Sequence, residues 1–368
     1  MASTLLETIR ALEKKHDYYL NFDDERLIDF NVNDVQLLIE VFLELFGEQK
    51  SFYFDEIQNV ASWERFVRRI HDQGNRVYIT GSNASMLSQE LGTHLTGRYI
   101  EKHLYPFSFS EFLLFEKVNY DASIQFSTKK KVEIKKAFNK YFELGGFPSY
   151  INNKDSDYLK YLYENIIYRD IIVRYNLPNE KPLKELAYFC ASNIGKEISF
   201  NSLKNVINIS SSTSIKEYFE YFNNSFLVFL LPCFDFSFKK QIFLNKKVYF
   251  IDTALAKTVG FRFSEDYGRI LENIVFLQLK RMGKDIYFHK KKKECNFLIK
   301  EKNKITKALQ VVKSLSDKKV EEREITGLLE AMKEHKLKNG FIITEDEEGE
   351  EIIDNCRITI IPIYKWLL

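Results

Sequence analysis

The chain has 368 residues, 45% of them hydrophobic, which is enough apolar material for large buried cores in two or three domains. Its 54 Lys and Arg against 52 Asp and Glu leave a formal net charge of +2, which excludes a protein that coats polyanions through a strong field of one sign. Four scattered cysteines without paired spacing exclude a disulfide framework and a cysteine-based zinc site.

The amino terminus and the apolar runs bear on where the protein resides. Charged residues appear too early in MASTLLETIRALEKK for the core of a signal peptide. Apolar runs stay well short of the ~18 to 20 residues that a membrane span needs. The sequence therefore predicts a soluble protein of the cytoplasm that has no membrane partner.

Helix and strand patterns alternate through the first third of the chain. Residues 17–23 predict a short strand, and apolar residues at helical spacing over 35–46 predict a packing helix with one buried face. The aromatic run 52–54 predicts a buried strand, and residues 63–70 predict an amphipathic helix. Residues 76–81 predict a second buried strand, so this third is expected to be an open α/β sheet.

Polar side chains follow both buried strands, at the sheet edge where α/β proteins bind ligands. Asp55 and Glu56 end the first strand, and Thr80 and Ser82 end the second. One acid could hold Mg²⁺ while the other accepts a proton from an attacking water, but an acidic pair that only caps the next helix is an equal alternative for this motif alone. Arg98 is a candidate for stabilising charge on a transferring phosphate, although a lone arginine is usually a surface ion pair.

Four segments, YFDEIQNV, ITGSN, LTGRY and YPFSFSEF, resemble in their order and spacing the ATPase core of a prokaryotic AAA-type P-loop family common in archaea. The resemblance extends over essentially the whole chain and implies a parallel P-loop NTPase-like sheet with ATP and Mg²⁺ as ligands. The sequence leaves the oligomeric state open, with a homo-oligomer as one alternative. It implies that Asp55 and Glu56 are the Walker B pair, with Asp55 on the metal and Glu56 as base. Thr80 or Ser82 is then the sensor, and Arg98 resembles the arginine finger.

The 368 residues depart from this family at the phosphate-binding loop, because they contain no G-x-x-x-x-G-K-[ST] segment. The opening MASTLLETI resembles the stretch just after the loop lysine, which would place Ser3 at the Mg²⁺-binding hydroxyl and Thr4 beside it. We expect either a fragment or late gene start, or a decayed member of the family. As printed, the chain is expected to be a poor ATPase.

The middle of the chain predicts helices followed by strands. Over residues 183–254 the order is three helices and two strands, which is typical of a winged helix. The third helix offers Lys216 among acids and is poorly suited to base readout. Non-specific DNA binding through the wing and a purely protein-docking role are equal alternatives. The wing carries four lysines that could contact phosphates: Lys239, Lys240, Lys246 and Lys247.

From residue 266 the pattern is one helix, three strands, a second helix and two strands, which resembles the restriction-endonuclease-like fold that often ends members of this family. The metal-binding positions of that fold correspond to Glu272, Asn296 and Gln310, with Val312 at the lysine position and Lys313 one residue late. Since an amide is a weak ligand for a hard cation, we expect a binding or docking module without nuclease activity.

The sequence thus predicts an incomplete AAA-type ATPase core over 1–120, a helical lid and linker over 121–180, a winged-helix domain over 181–258, and a nuclease-like α/β domain over 259–368. The predicted function is Mg²⁺-ATP hydrolysis coupled to a protein or DNA client. The alternative is a non-catalytic DNA- or protein-binding module that kept the scaffold.

Overall fold

The computed structural model describes residues 2–13, 18–81, 98–120, 127–261 and 267–368. The chain divides into two compact units, residues 1–104 (unit 1) and residues 105–368 (unit 2). Unit 1 has a hydrophobic core of its own, and unit 2 has two clusters of buried apolar residues. The finer division into four domains stays a prediction.

Unit 1 contains a three-stranded parallel sheet in the order β1-β2-β3. Its elements are α1 (Ala2–Glu13), β1 (Tyr18–Asn21), α2 (Val35–Phe46), β2 (Ser51–Asp55), α3 (Trp63–Asp72) and β3 (Arg76–Ile79). The predicted helix over 35–46 is confirmed to the residue. The predicted strands at 17–23, 52–54 and 76–81 are confirmed within a few residues.

Aromatic packing explains why β2 is the central strand. All five of its residues are buried, and the ring of Tyr53 stacks on Tyr78 of β3 with centroids 4.8 Å apart. Phe54 meets Phe66 of α3 edge-on at 5.6 Å. The apolar face predicted for α3 is buried throughout. The strand that ends in Asp55 is therefore the fully buried centre of this sheet.

Two sequence-based expectations for unit 1 need correction. β3 is only half-buried, because among the described residues it pairs with β2 alone and forms a sheet edge. The predicted buried face of α2 is also incomplete, since Leu45 is 68% and Phe46 is 46% exposed. The segment ASMLSQEL at 84–91, whose sequence predicts a helix after β3, lies outside the described residues.

The first part of unit 2 combines helices with a three-stranded antiparallel sheet in the order β4-β6-β5. Its helices are α4 (Phe109–Phe115), α5 (Thr128–Leu144), α6 (Pro148–Asn153), α7 (Ser156–Asn165, continued as a π-helix over Ile166–Val173), α8 (Lys181–Ser192), α9 (Phe200–Val206), α10 (Ser212–Asn224), α11 (Phe238–Phe243) and α12 (Thr253–Val259). The strands are β4 (Glu197–Ile198), β5 (Val228–Pro232) and β6 (Lys246–Phe250). The order predicted for 183–254 is present, with β4 and α11 as additions.

The second part of unit 2 is a six-stranded mixed sheet in the order β11-β12-β10-β9-β8-β7. Its elements are α13 (Tyr267–Arg281), β7 (Asp285–Lys290), β8 (Glu294–Glu301), β9 (Lys304–Val311), α14 (Lys318–His335), β10 (Asn339–Thr344), β11 (Gly349–Ile353), β12 (Cys356–Pro362) and α15 (Ile363–Trp366). β10 runs parallel to β9 and β12, and the other pairs are antiparallel. The predicted element order is confirmed, with β11 as an extra strand.

A buried carboxylate joins distant segments of unit 2. Asp252 accepts hydrogen bonds from the backbone N–H groups of Ala254 at 2.8 Å and Leu255 at 2.9 Å, and from Gly146 at 2.7 Å. Burial raises the pKa of Asp252, against the effect of these hydrogen bonds. The same residue therefore caps α12 and fixes the Gly145–Gly146 turn between α5 and α6.

The four cysteines are all described and free, and Cys190, Cys233 and Cys295 are buried. Burial raises the pKa of the Cys233 thiol to about 11 and that of Cys295 to about 12, so both stay protonated at neutral pH. Within the described ranges, no helix combines the length and the apolar composition that crossing a bilayer takes.

Candidate functional site

The candidate site lies at the carboxyl ends of β2 and β3 in unit 1. Asp55 is fully buried there, and the Thr80 hydroxyl donates a hydrogen bond to its Oδ1. The Thr80 Oγ1 also accepts a hydrogen bond from the backbone N–H of Glu56 at 3.2 Å. Three residues that the sequence singles out therefore meet at one sheet edge, because β2 and β3 are adjacent and parallel.

The backbone turns sharply directly after Asp55. Glu56 has a φ of 52°, in the left-handed region that a residue with a side chain rarely adopts. Hydrogen bonds across the two strands hold this turn, since Ile57 N–H donates to the Thr80 carbonyl at 3.2 Å and Thr80 N–H donates to the Phe54 carbonyl at 3.0 Å. The turn points two consecutive carboxylates into different surroundings.

The Glu56 side chain is only partly buried, and its Oε2 accepts a hydrogen bond from Gln58 Nε2 at 2.5 Å. Asp55 by contrast has hydrogen bonds to both of its oxygens. A buried, fixed carboxylate thus lies next to one that water can reach. This is the asymmetry that a metal-orienting acid and a general base require.

Tyr19 is a site residue that sequence reasoning missed. Its hydroxyl donates to Asp55 Oδ2 at 3.4 Å, and its pKa is raised by burial, by the Asp55 charge and by Glu7 of α1, while Arg10 opposes the shift. The Arg10 guanidinium lies over the Tyr19 ring, 5.1 Å from its centroid. Only the pairing of β1 with β2 brings Tyr19 to Asp55, and the spacing along the chain carries no signal of it.

Ser3 and Thr4 lie in the first turn of α1, which packs against β2. Thr4 is exposed, and its carbonyl accepts a hydrogen bond from the Thr8 hydroxyl at 2.8 Å. In the described part of unit 1, neither the Ser3 nor the Thr4 hydroxyl hydrogen-bonds to Asp55. Their roles at a metal stay a prediction.

Arg98 pairs with Asp72 and lies away from Asp55 and Glu56. Its Nη1 is 2.5 Å from Asp72 Oδ1, and both side chains are about half exposed. Asp72 is the last residue of α3, the helix that connects the parallel strands β2 and β3. Because this helix returns the chain from the end of β2 to the start of β3, Asp72 and Arg98 lie at the opposite end of the strands from Asp55. An arginine-finger role would therefore act on the site of a second subunit. Ser82, the other sensor candidate, lies outside the described residues.

The oxygen donors at this edge suit Mg²⁺. Asp55, Glu56 and Thr80 offer carboxylate and hydroxyl oxygens, the hard ligands that Mg²⁺ prefers. Among the described residues, no three His, Cys, Asp or Glu side chains are placed to hold a metal by themselves. The donor set therefore fits Mg²⁺ that takes its remaining ligands from water and from a nucleotide, which is the usual pattern for this ion.

In unit 2, the positions compared with a nuclease site all have partners within the protein. The Lys247 ammonium lies 2.8 Å from Glu272 Oε1, and the Tyr249 hydroxyl donates to the same oxygen at 2.6 Å. Asn296 of β8 and Gln310 of β9 link the two strands, since the Asn296 N–H donates to Gln310 Oε1 at 2.9 Å. These three side chains therefore form structural contacts across β6, β8 and β9.

The remaining contacts at these positions are consistent with that role. Asn296 Oδ1 accepts a hydrogen bond from Val311 N–H at 2.8 Å, and Gln310 Nε2 donates to Glu324 of α14. Val312 is buried, and the exposed Lys313 places its ammonium 4.8 Å from the Tyr267 ring centroid.

Two of the four wing lysines have partners within the protein, and one of these two is buried. Lys247 is 1% exposed and forms ion pairs with Glu272 at 2.8 Å and Glu294 at 2.7 Å, so the prediction that it contacts phosphate is wrong. The Lys246 ammonium donates to the backbone carbonyls of Ile242 at 3.0 Å and Leu244 at 2.8 Å. Alternation along β6 turns Lys247 inward, towards acids that are distant in sequence.

Comparisons with known proteins assign the first part and the middle part of the chain to families. Residues 3–113 match the family described as an AAA domain, and residues 135–266 match a domain of unknown function, DUF8612. The uncharacterized protein MJ1544 of Methanocaldococcus jannaschii is 36% identical over 99% of this chain and 85% of its own length. An uncharacterized protein of Haemophilus influenzae is 29% identical over 80% of this chain and 74% of its own length. No solved structure matches the chain.

Proposed function

The chain belongs to the family that includes MJ1544 of M. jannaschii, with an AAA domain at its amino-terminal end, and from this premise we propose that its site serves Mg²⁺-ATP hydrolysis. The observation that carries the proposal is the joint contact of Thr80 with the Asp55 carboxylate and the Glu56 backbone at one sheet edge. An acidic pair that only capped the following helix would need no polar group from the neighbouring strand. This favours the catalytic interpretation of the pair over the capping one.

Each residue has a separate task in the proposed reaction. Asp55, fixed by Tyr19 and Thr80, would hold the Mg²⁺ ion, and Glu56 accepts the proton of the attacking water. Thr80 couples the two acids and senses the terminal phosphate from the neighbouring strand. Arg98 stabilises transferred charge in the site of an adjacent subunit. Bound Mg²⁺ would neutralise charge on the phosphates.

Hydrolysis by P-loop enzymes also needs a loop that wraps the phosphates, and the 368 residues contain none. We therefore propose that the printed chain alone binds Mg²⁺-ATP weakly. By a loop-bearing chain we mean the same sequence with a strand and a G-x-x-x-x-G-K segment placed directly before Ser3. The segment comes from the upstream reading frame where that frame codes for it, and from a grafted loop otherwise.

The test measures phosphate release by the loop-bearing chain and three variants. Glu56→Gln removes the base and is expected to lower turnover about 100-fold or more, the usual contribution of a general base. Thr80→Val removes the hydroxyl at nearly constant volume and is expected to lower turnover as well. Glu44→Gln is the matched control, because Glu44 is an exposed carboxylate on α2 of the same unit. Turnover that Glu56→Gln leaves unchanged would refute the proposal.

For unit 2 we propose the finer assignments as well. The order of α8, β4, α9, α10, β5 and β6 supports a winged-helix domain, and the order from α13 through β12 supports a restriction-endonuclease-like domain without nuclease activity. The partner contacts of Glu272, Asn296 and Gln310 support the loss of cleavage. A protein or nucleic-acid client that couples to hydrolysis would bind in this unit.

A further inference from the structure

An exposed aromatic segment connects β5 and β6. We call residues 235–245, which include α11, the β5–β6 insertion. Phe236, Phe238 and Phe243 are 77%, 75% and 78% exposed, and α11 buries none of its residues. Three bare phenyl rings within eight residues are unusual on a protein surface, where large apolar groups in a cluster mark an interaction site.

Polar contacts, and not apolar packing, hold this insertion in shape. Asp235 Oδ1 accepts a hydrogen bond from Ser237 N–H at 2.8 Å, and Gln241 Nε2 donates to the Asp235 carbonyl at 2.6 Å. The Lys246 ammonium donates to the carbonyls of Ile242 and Leu244 at the end of α11. A helix of one and a half turns is not stable by itself, so these contacts order the segment and leave its rings in water.

The insertion lies beside the turn between β7 and β8. Phe234 N–H donates to the Phe288 carbonyl of β7 at 2.8 Å, and the Phe236 ring centroid is 5.8 Å from that of His335 at the end of α14. Lys291 of the turn pairs with Glu334 of α14 at 2.7 Å, and the charge of Asp235 contributes to the raised pKa of Lys291, after the stronger effect of Glu334. The insertion and the turn therefore form one continuous surface.

Unpaired positive charge surrounds the rings on this surface. Lys239 and Lys240 of α11 and Lys292 and Lys293 of the β7–β8 turn are exposed, and their ammonium groups have no acidic partner among the described residues. The chain as a whole carries a formal charge of only +2, so this concentration is local. A partner complementary to this surface is therefore a polyanion that carries flat apolar groups.

The order of phenyl rings and lysines around α11 favours a nucleic acid over a lipid bilayer as the partner. A helix advances about 100° per residue, so Phe243 projects between Lys239 and Lys240, while Phe238 projects on the other side. A bilayer-binding helix keeps its apolar and charged groups on opposite faces. A single nucleic-acid strand alternates bases with phosphates and takes rings that are interleaved with cations.

We propose that the β5–β6 insertion and the β7–β8 turn bind single-stranded nucleic acid. Bases stack on Phe238 and Phe243, and phosphates lie beside Lys239, Lys240, Lys292 and Lys293. The proposal does not depend on nucleotide hydrolysis in unit 1, because every residue it uses belongs to unit 2.

The test titrates the full chain into a fluorescein-labelled 20-nucleotide oligothymidylate and, separately, an oligouridylate, and follows fluorescence anisotropy. Both are expected to bind, with equal affinity if stacking and phosphate contacts suffice and with RNA favoured if 2′-hydroxyls are also contacted. Four neutralised phosphates predict a slope of about −3 in log affinity against log salt for a single strand.

Two exposed double variants separate stacking from charge. Phe238→Ala/Phe243→Ala is expected to weaken binding at least about tenfold with the salt slope unchanged, because stacking carries no net charge. Lys239→Gln/Lys240→Gln is expected to reduce the slope by about 1.4. The controls are Phe261→Ala, whose ring is 61% exposed, and Lys318→Gln/Lys319→Gln at the far end of α14. Both controls are expected to bind like the unsubstituted chain.

Three results would overturn the proposal. The first is affinity for single strands that Phe238→Ala/Phe243→Ala leaves unchanged. The second is a labelled duplex bound as tightly as the single strand, which indicates charge contact alone. The third is no binding of either oligonucleotide, and sedimentation on phosphatidylserine and phosphatidylcholine vesicles would then assign the rings to a membrane.

Discussion

Lys247 shows at the residue scale how strongly a buried charge depends on its partners. Its ammonium is 1% exposed and contacts Glu272 and Glu294. Lys247→Met would leave the buried Glu272 carboxylate without its cation, and we expect a loss of about 3 to 5 kcal/mol in the free energy of unfolding. Urea denaturation of the whole chain measures it.

A double variant and a surface control complete this experiment. Lys247→Met/Glu272→Gln removes both buried charges and is expected to recover a large part of the lost stability. Lys240→Met changes an exposed lysine and is expected to stay within about 0.5 kcal/mol of the unsubstituted chain. A Lys247→Met chain as stable as this control would show that the ion pairs do not stabilise the fold.

The same cluster predicts a dependence of stability on acid. Burial opposes ionisation of Glu294, but the ammonium groups of Lys247 and Lys290 outweigh it and hold its pKa below the usual value. A lowered pKa in the folded state stabilises the protein above the unfolded value of about 4.3, and this contribution is lost as the pH falls through the folded pKa. The unfolding temperature should therefore drop more steeply below about pH 5 for the unsubstituted chain than for Glu294→Gln. Parallel curves for the two proteins would contradict the prediction.

Single residues were predictable from the sequence where their signal is local. Asp55, Glu56 and Thr80 stand at the ends of two runs of strand-forming residues, so their place at the carboxyl ends of the strands follows from the chain itself. Tyr19 and Lys247 were not predictable in their roles, because strand pairing and sheet packing bring their partners from 36 and 25 residues away.

At the scale of elements, the connection between the helices α5 and α6 depends on the backbone conformation of a single residue. Gly145 has a φ of 66°, and a Cβ there would overlap the Asp252 carboxylate that caps α12. Gly145→Ala is therefore expected to destabilise the protein by strain and by displacement of the cap, by about 2 kcal/mol or more. Thermal unfolding measures the loss.

Gly283→Ala is the matched control for this substitution. Gly283 belongs to the same unit and has a similar φ of 63°, but a Cβ at this position would meet no other atom within 4 Å. We expect Gly283→Ala to lower the free energy of unfolding only through backbone strain, by about 1 kcal/mol. Equal losses in the two variants would show that the contact with Asp252 contributes nothing.

Periodicity predicted long elements well and short ones poorly. The helix over 35–46 and the element order after residue 266 follow from repeated apolar spacing. β4 has two residues and α11 buries none, so neither leaves an apolar pattern to detect. The edge position of β3 depends on which strands flank it, and no local pattern carries that information.

For the whole molecule, contacts divide the chain after residue 104, and the finer division into four domains stays a prediction. Residues of the predicted lid, winged-helix and nuclease-like segments share one hydrophobic cluster that extends from Phe109 to Leu367. Composition shifts along the chain mark changes of element pattern, but they do not reveal whether neighbouring segments bury their apolar faces against each other. The candidate site lies entirely in the smaller unit, so its chemistry is separable from the nucleic-acid surface proposed in the larger one.

The central claim is that the acids at the end of β2 hydrolyse Mg²⁺-ATP. Its most direct test is calorimetric titration of Mg²⁺-ATP into the loop-bearing chain and into its Glu56→Gln variant, with phosphate release measured on the same samples. We expect both proteins to bind with similar affinity and only the unsubstituted one to turn over. Absence of binding in both proteins, or turnover by the variant at the unsubstituted rate, would contradict the claim.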